Sequence, residues 1–328
     1  MNLSEFELIG RLQELICIPG SDAGPGCAVG IGDDAAVVDV PEGRQLVVCT
    51  DTLVEGVHFL SGTPAGAVGH KALAVNLSDL AAMGAEPAWF FMGLTLPSGD
   101  SAWLESFAHG VSDLARAARV TLAGGDVASG PLNVCITALG LVESGAALTR
   151  SGARPGDLVV VSGEPGRAAH ALAVLQAGGE PEAADRAALD LPQPRLALGR
   201  ALRGVATACI DVSDGLLADL GHILESSGTG ARIEAARLPV PDGLSGLPED
   251  LRWRLQLSGG DDYELCFTVA PESRARLPDI ARDCEVGLNV IGEITPGDGL
   301  RVEGRDGRPV DTSHPGYRHF GGLGGAEQ

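Results

Sequence analysis

Lysine is all but missing from this chain. Lys71 is the only one among 23 basic residues, set against 44 acidic ones, and the formal net charge is −21 over 328 residues. The scarcity reads as genome composition, in keeping with the richness in Ala and Gly, and Lys71 itself reads as a solvated helix residue. A chain this acidic has no basic face with which to release counterions from a phosphate backbone, which excludes a nucleic-acid binder. Anionic small substrates stay admissible, because a bound metal inverts the local field. Paired cysteines are missing too. Cys17, Cys27, Cys49, Cys135, Cys209, Cys266 and Cys284 are scattered, with no Cys-x-x-Cys and no zinc spacing to the seven histidines. Reduced thiols and a cytoplasmic location are expected. There is no run of about 18 apolar residues. The start, Met-Asn-Leu-Ser-Glu-Phe-Glu, lacks a charged n-region and an apolar h-region. Neither a membrane span nor a signal peptide is expected. G-x-x-x-x-G-K-[ST], H-R-D, D-F-G and G-x-S-x-G are all absent, so any phosphate chemistry is not of the P-loop or protein-kinase kind.

What is present is a globular composition, 45% hydrophobic, and length enough for two domains. Apolar spacing predicts a helix over residues 3–17, with Ser4 and Glu7 as a capping box. A Gly/Pro segment follows, then strands at 35–40 and 45–50 joined by a turn at Pro41-Glu-Gly43. Residues 65–84 read as one helix, 89–96 as a strand, 101–118 as a helix, 120–123 as a short strand, and 132–142 as a long one. Loop composition near Leu148–Gly156 places a domain boundary, giving 1–148 and 149–328. The second half again mixes elements. Strands are read at 157–162, 207–211, 263–269 and 285–291, and helices at 166–177, 195–203, 213–225 and 272–282.

Carboxylates in apolar company mark the chemistry. Asp33, Asp34, Asp51 and Asp79 have small, apolar or β-branched neighbours, as in Ala74-Val-Asn-Leu-Ser-Asp-Leu-Ala81. Acids so placed are seldom buried unless paired or metal-bound. A second acidic set follows at Asp211-Val-Ser-Asp-Gly215 and Ser258-Gly-Gly-Asp-Asp-Tyr-Glu264. If the sets meet in space, hard divalent cations with oxygen ligands are needed to hold them together. Gly30-Ile-Gly-Asp-Asp-Ala35 fits a loose dinucleotide pattern, but a loop precedes it, a strand follows, and two Asp side chains repel a pyrophosphate. Each feature also has a plain reading. Asp33-Asp34 can be an acidic turn, Asp79 a helix cap, His58 a core imidazole and Arg150 a surface residue. Gly124-Gly125-Asp126 can be an ordinary loop, or bare N–H groups around a phosphate. Ser213 or Asp214 begins a helix, where N–H groups favour anions.

Taken in order, these motifs resemble thiamine-monophosphate kinase. They are Gly-Ile-Gly-Asp-Asp-Ala, Thr50-Asp-Thr-Leu-Val-Glu-Gly-Val-His-Phe59, Lys71-Ala-Leu-Ala-Val-Asn-Leu-Ser-Asp79, Gly-Gly-Asp126, Leu148-Thr-Arg-Ser-Gly-Ala153, Asp-Val-Ser-Asp-Gly-Leu216 and Ser-Gly-Gly-Asp-Asp-Tyr-Glu-Leu265. The likeness runs from Phe6 to Phe320. It implies an α/β and α+β fold like that of aminoimidazole ribonucleotide synthetase: an N-terminal α/β domain that pairs in a homodimer, and a C-terminal α+β domain that covers the site. It implies transfer of the ATP γ-phosphoryl group to thiamine monophosphate. Asp34, Asp51, Asp79, Asp126, Asp211 and Asp214 would bind several Mg2+ ions, with Asp33 close by. Gly125, Asp126, Arg150 and Ser213 would contact ATP. His58, Asp261 and Tyr317 would contact the thiamine phosphate. Cys49 stands where relatives often have Ser, so Thr50 or the backbone would supply that metal ligand. Asp261 is one methylene shorter than the usual Glu, and His314 replaces an aromatic residue. The rivals are another ATP-using enzyme of this superfamily, such as selenophosphate synthetase, and a non-catalytic acidic metal-binding protein.

Overall fold

The computed structural model describes residues 5–16, 26–313 and 316–317. Ser4 of the predicted cap, Cys17, His314 and Phe320 lie outside them. The first half holds α1 (Glu5–Ile16), β1 (Cys27–Val29), β2 (Val37–Val38), β3 (Arg44–Val54), α2 (Ala65–Ala82), β4 (Glu86–Leu96), α3 (Ser101–Ala118), β5 (Thr121–Ser129) and β6 (Asn133–Glu143). The second holds β7 (Leu158–Ser162), α4 (Arg167–Gln176), α5 (Ala183–Asp190), α6 (Leu196–Leu202), β8 (Ala206–Asp211), α7 (Leu216–Ser227), β9 (Gly230–Glu234), α8 (Glu249–Ser258), β10 (Leu265–Val269), α9 (Leu277–Asp283), β11 (Leu288–Thr295) and β12 (Gly299–Glu303).

The first sheet has the order β3-β6-β4-β5. Only β4 and β5 run parallel, because α3 carries the chain from one to the other. Strand residues alternate between faces. Phe90, Met92 and Leu94 of β4 therefore join Ile136 and Val134 of β6 under α2 and α3, while Trp89 and Phe91 point to the outer face. The predicted strands at 35–40 and 45–50 do not pair with each other across Pro41–Gly43. β2 pairs with β1, β3 pairs with β6, and the β1–β2 segment covers Trp89 on the outer face.

All but three of the 18 residues of α2 are buried, so this is a core helix and not an amphipathic one. Glycines let α3 close upon it: a Cβ on Gly110 would stand 1.9 Å from the Gly66 carbonyl oxygen, and one on Gly69 2.2 Å from that of Phe107. α3 spans the predicted residues 101–118, started by Asp100, whose side chain accepts from the Ala102 N–H at 3.0 Å.

The second sheet has the order β12-β9-β11-β7-β10-β8. Val159, Val160 and Val161 are all fully buried, since this sheet is covered on both faces. Val159 and Val161 pack with Leu217, Leu220 and Trp253 from α7 and α8. Val160 packs with Leu198 and Leu202 of α6, Ile280 of α9, and Ala81 and Ala82 of α2. The last core thus contains residues of both halves.

Candidate active site

A cavity of about 810 Å³ opens where the halves meet. Its walls come from the end of β3, the loop after it, α2, α4, the β8–α7 loop, the 258–263 loop and Gly316-Tyr317. Members of the two acidic sets separated in sequence meet here: Asp51 and Asp79 of the first, Asp211, Asp214 and Asp261 of the second. Asp51 arrives on the inner face of β3, Asp79 on α2, and Asp211 at the end of β8. Asn76 orients the first of these: its Oδ1 accepts from the Asp51 N–H at 3.1 Å, and its amide donates to the Ala72 carbonyl. Ser78 orients the third, donating from Oγ to Asp211 Oδ2 at 2.7 Å.

Burial raises all three proton affinities. Asp79 is pushed up to about 8 by burial, then by the charges of Asp211 and Asp51. Asp211 is pushed up to about 6 by burial, against the Ser78 hydroxyl, which pulls it down. Asp51 is raised by burial and eased by a hydrogen bond with Asp79. The Arg150 charge acts on both Asp79 and Asp211 although its own side chain is exposed.

Asp214 and Ser213 line the same cavity, but their backbone differs from the sequence expectation. The N–H groups of Ser213, Asp214 and Gly215 all donate to Oδ2 of Asp219, at 3.0, 3.1 and 3.1 Å. The anion at the start of α7 is the protein's own. Burial, then Asp211 and Asp214, push Asp219 up to about 7.

His58, Asp261 and Tyr317 line the cavity as well. Nδ1 of His58 accepts from the Val54 N–H at 3.0 Å, which places the ring hydrogen on Nε2. The Tyr317 N–H donates to the Asp214 carbonyl at 2.9 Å. Asp261 is bound by Lys71, whose Nζ is 3.0 Å from Oδ2, and by the Tyr263 hydroxyl at 3.0 Å from Oδ1. Lys71 is only 3% exposed. This corrects its reading as a solvated residue.

Other predicted residues are placed differently. Thr50 lines the cavity, but neighbouring strand residues face opposite ways: its hydroxyl meets that of Thr137 at 2.8 Å while Asp51 faces α2. Gly124, Gly125 and Asp126 are not a loop after a short strand. They lie inside β5, opposite Phe91, Met92 and Gly93. A Cβ on Gly125 would stand 2.1 Å from the Met92 carbonyl oxygen, so this strand needs glycine there. Asp126 shares a row with Gly93, Cys135 and Thr52, on the outer face. Asp33 and Asp34 are exposed, the Asp34 N–H donating to Asp33 Oδ1 at 2.9 Å. Asp33, Asp34, Gly125, Asp126 and Arg150 are not among the residues lining the cavity.

Cys49 stays a thiol. Burial and the charges of Asp79 and Asp51 push it up, and it donates to the Asn76 carbonyl at 3.3 Å. The donor set at the cavity floor is therefore oxygen alone, which suits magnesium in chemical type. Among the described residues, no three His, Cys, Asp or Glu side chains are already disposed as a metal cage. What suits a cation is the gathering of three carboxyl groups whose ionised forms burial disfavours, not a finished coordination shell.

Residues 32–142 match the family described as AIR synthase related protein, N-terminal domain, and residues 154–305 its C-terminal domain. The thiamine-monophosphate kinase of Escherichia coli O157:H7 is 46% identical over 98% of this chain and 99% of its own length. The chain belongs to the thiamine-monophosphate kinase family. Its fold is accordingly the two-domain one of the AIR synthase relatives. The crystal structure of the family member from Stenotrophomonas maltophilia K279a superposes with a TM-score of 0.84 at 43% identity, covering 94% of this chain and 98% of that one. AaThiL complexed with AMPPCP and TMP superposes with a TM-score of 0.74 at 30% identity, covering 98% of this chain and 99% of that one.

Sequence reasoning passed over Asp219 and Ser78, and took Lys71 for a solvated residue, although all three hold residues of this cavity in place. Asp219 stands among Leu216, Leu217 and Leu220, where an acid in a buried first turn was the available signal. Ser78 and Lys71 carried a similar mark, being polar residues among the apolar neighbours of α2.

Proposed function

We propose that this chain transfers the γ-phosphoryl group of ATP to the phosphate of thiamine monophosphate, giving thiamine diphosphate and ADP. The observation that carries the reading is the meeting of Asp51, Asp79 and Asp211, from three elements and both halves, at the floor of a cavity of about 810 Å³. That volume is in the range of ligand sites. A relative solved with AMPPCP, an ATP analogue, together with TMP supports the same pair of ligands.

The acceptor oxygen belongs to a phosphate and is anionic near neutral pH, so no side chain has to remove a proton. The barrier is repulsion between two polyanions, and catalysis is chiefly positioning and charge neutralisation. Several Mg2+ ions, when bound, supply that neutralisation. Asp51, Asp79, Asp211 and Asp214 would hold them, with Asn76, Ser78 and Asp219 keeping those carboxylates and their loop in place. Arg150 and Ser213 serve ATP. His58, Asp261 and Tyr317 serve the acceptor.

Gly125, Asp126, Asp33, Asp34 and the Thr50 hydroxyl join nucleotide and metal binding from the outer face, which we assign to a homodimer contact. Val37, Val40, Leu46 and Val48 are exposed on that side, and β3 is a sheet edge. Residues 1–148 would be the dimerising half and 149–328 the half that covers the site. A cytoplasmic location is supported by the free cysteines.

Purified protein is incubated with Mg2+ and ATP, with thiamine monophosphate, free thiamine or no acceptor. ADP release only with the monophosphate, with thiamine diphosphate formed, is expected. Acceptor-independent release, or none, would overturn the reading. Transfer is direct, and recovery of a phosphorylated protein from a quenched single turnover would refute that part.

A further inference from the structure

The chain's single lysine is among its most enclosed side chains. Lys71 projects from α2, and its Nζ donates to the His58 carbonyl at 3.2 Å as well as pairing with Asp261 Oδ2 at 3.0 Å. Asp261 belongs to a loop under backbone strain. Its φ is +69°, and Tyr263, two residues on, has φ +51°. Neither is glycine, and such conformations persist only where the surroundings over-determine them. The surroundings here are visible. The N–H of Asp261 donates to the Ser213 carbonyl at 2.9 Å, that of Tyr263 to the Val212 carbonyl at 2.8 Å, and Lys71 and the Tyr263 hydroxyl each take one carboxylate oxygen.

The pair stands at a junction. Asp261 lines the main cavity and also a second one of about 290 Å³, which Lys71 lines too. The walls of the second cavity include Val57, Phe59, Leu60, Leu172 and Leu189. An enclosed ion pair adds little net stability compared with an apolar pair of the same shape. Stability alone therefore gives no reason for the one lysine to be here. A rigid tether does: α2 is buried on nearly every side, and Lys71 ties the strained loop to it.

We propose that Lys71 is a positioning residue for the acceptor. It fixes the Asp261 carboxylate at the mouth of the second cavity, so that an acceptor carrying a cationic ring and a phosphate meets a carboxylate already in place. The ring is drawn to Asp261, and the phosphate is left to reach the acidic floor. This rests on the function proposed above, and it assigns Lys71 no contact with ATP.

The test uses the full-length protein as wild type, Lys71→Met and Lys71→Arg. Amide hydrogen exchange without ligand reads the tether directly. Lys71→Met is expected to speed exchange at Asp261 and Tyr263 while leaving α3 unchanged, and Lys71→Arg to restore most of the protection. In steady-state kinetics, Lys71→Met is expected to raise KM for thiamine monophosphate about tenfold or more, with KM for ATP within about twofold of wild type. Unchanged exchange in the loop would overturn the proposal. So would an equal rise in both KM values, or a fall in kcat alone. Wild-type protein that does not phosphorylate thiamine monophosphate, yet shows the expected exchange, would fell the functional reading and the acceptor role while leaving the tether standing.

Discussion

Replacing Asp79 by Asn should make the metal-free protein more stable and the enzyme inactive. The sign follows from the site. Asp79 is pushed from 3.8 to about 8 in the folded chain, so the native state holds a proton that the unfolded chain releases. Its contribution to stability is fully present below 3.8 and is lost as pH rises through about 8. At about 1.4 kcal/mol per tenfold change in proton affinity, the ionised carboxylate costs at most roughly 6 kcal/mol. Asp51 shares a hydrogen bond with it and relaxes with it, so about half, ~3 kcal/mol, is the realistic size. Asn has the same shape and no charge to bury. Thermal unfolding in EDTA should then show Asp79→Asn melting above wild type by roughly 4 °C at pH 8.5, with the gap narrowing at pH 5.5. Added Mg2+ should raise the wild-type Tm more than that of the variant. Its kcat should fall by about two orders of magnitude or more, because a ligand of the neutralising ions is gone. A variant less stable than wild type at pH 8.5, or a gap independent of pH, would refute the reasoning.

Asp219→Ala leaves the N–H groups of Ser213, Asp214 and Gly215 without their acceptor. At about 1 kcal/mol or more for each, the unfolding free energy read from urea titration should drop by at least ~3 kcal/mol; a loss under ~1 kcal/mol would show that water replaces the carboxylate. Gly110→Ala forces a methyl against the Gly66 carbonyl and should cost about 3 kcal/mol, and a wild-type Tm would mean that α2 and α3 separate freely. Val48→Glu puts a charge on the exposed edge strand and should turn a dimer into a monomer in sedimentation velocity, without lowering Tm in the isolated chain. Unchanged dimer mass would place the contact elsewhere.

How far the sequence could be read depended on whether the cause was local. α3 was legible to the residue because the apolar spacing that marks it lies wholly within it. The meeting of Asp51 and Asp79 with Asp211 was legible because acids in apolar runs need one another or a cation. β5 was read too short: two glycines look like a turn, and only the closeness of Met92 in the neighbouring strand makes them part of the sheet. α5, β9, α8 and β12 were missed: α5, β9 and β12 are short, β12 being an edge strand held by β9 and β9 lying between β12 and β11, and α8 is largely polar with Trp253, Gln256 and Leu257 turned inward. The division between Thr50 and Asp51 was in principle readable from strand alternation. The places of Asp126, Asp33 and Asp34 were not, since nothing local says which face of the sheet the two long helices cover. Lys71 misled for a simple reason. A lysine on a helix is normally wet, and only the fold shows that this helix has almost no outside.

That same helix has a consequence for how the protein comes apart. Ala81 and Ala82 at its end pack in a core with Leu198, Leu202 and Phe267, while Leu73 and Leu77 pack in the other with Phe90 and Phe107. Heat cannot melt one half and spare the other, because whichever sheet loosens first strips a side of the member they share. Calorimetry should record a single cooperative transition where two domain-sized units would suggest two. A fragment ending near residue 148 would expose part of α2 and associate through it. Although two family domains are written in succession along this chain, they should denature as one.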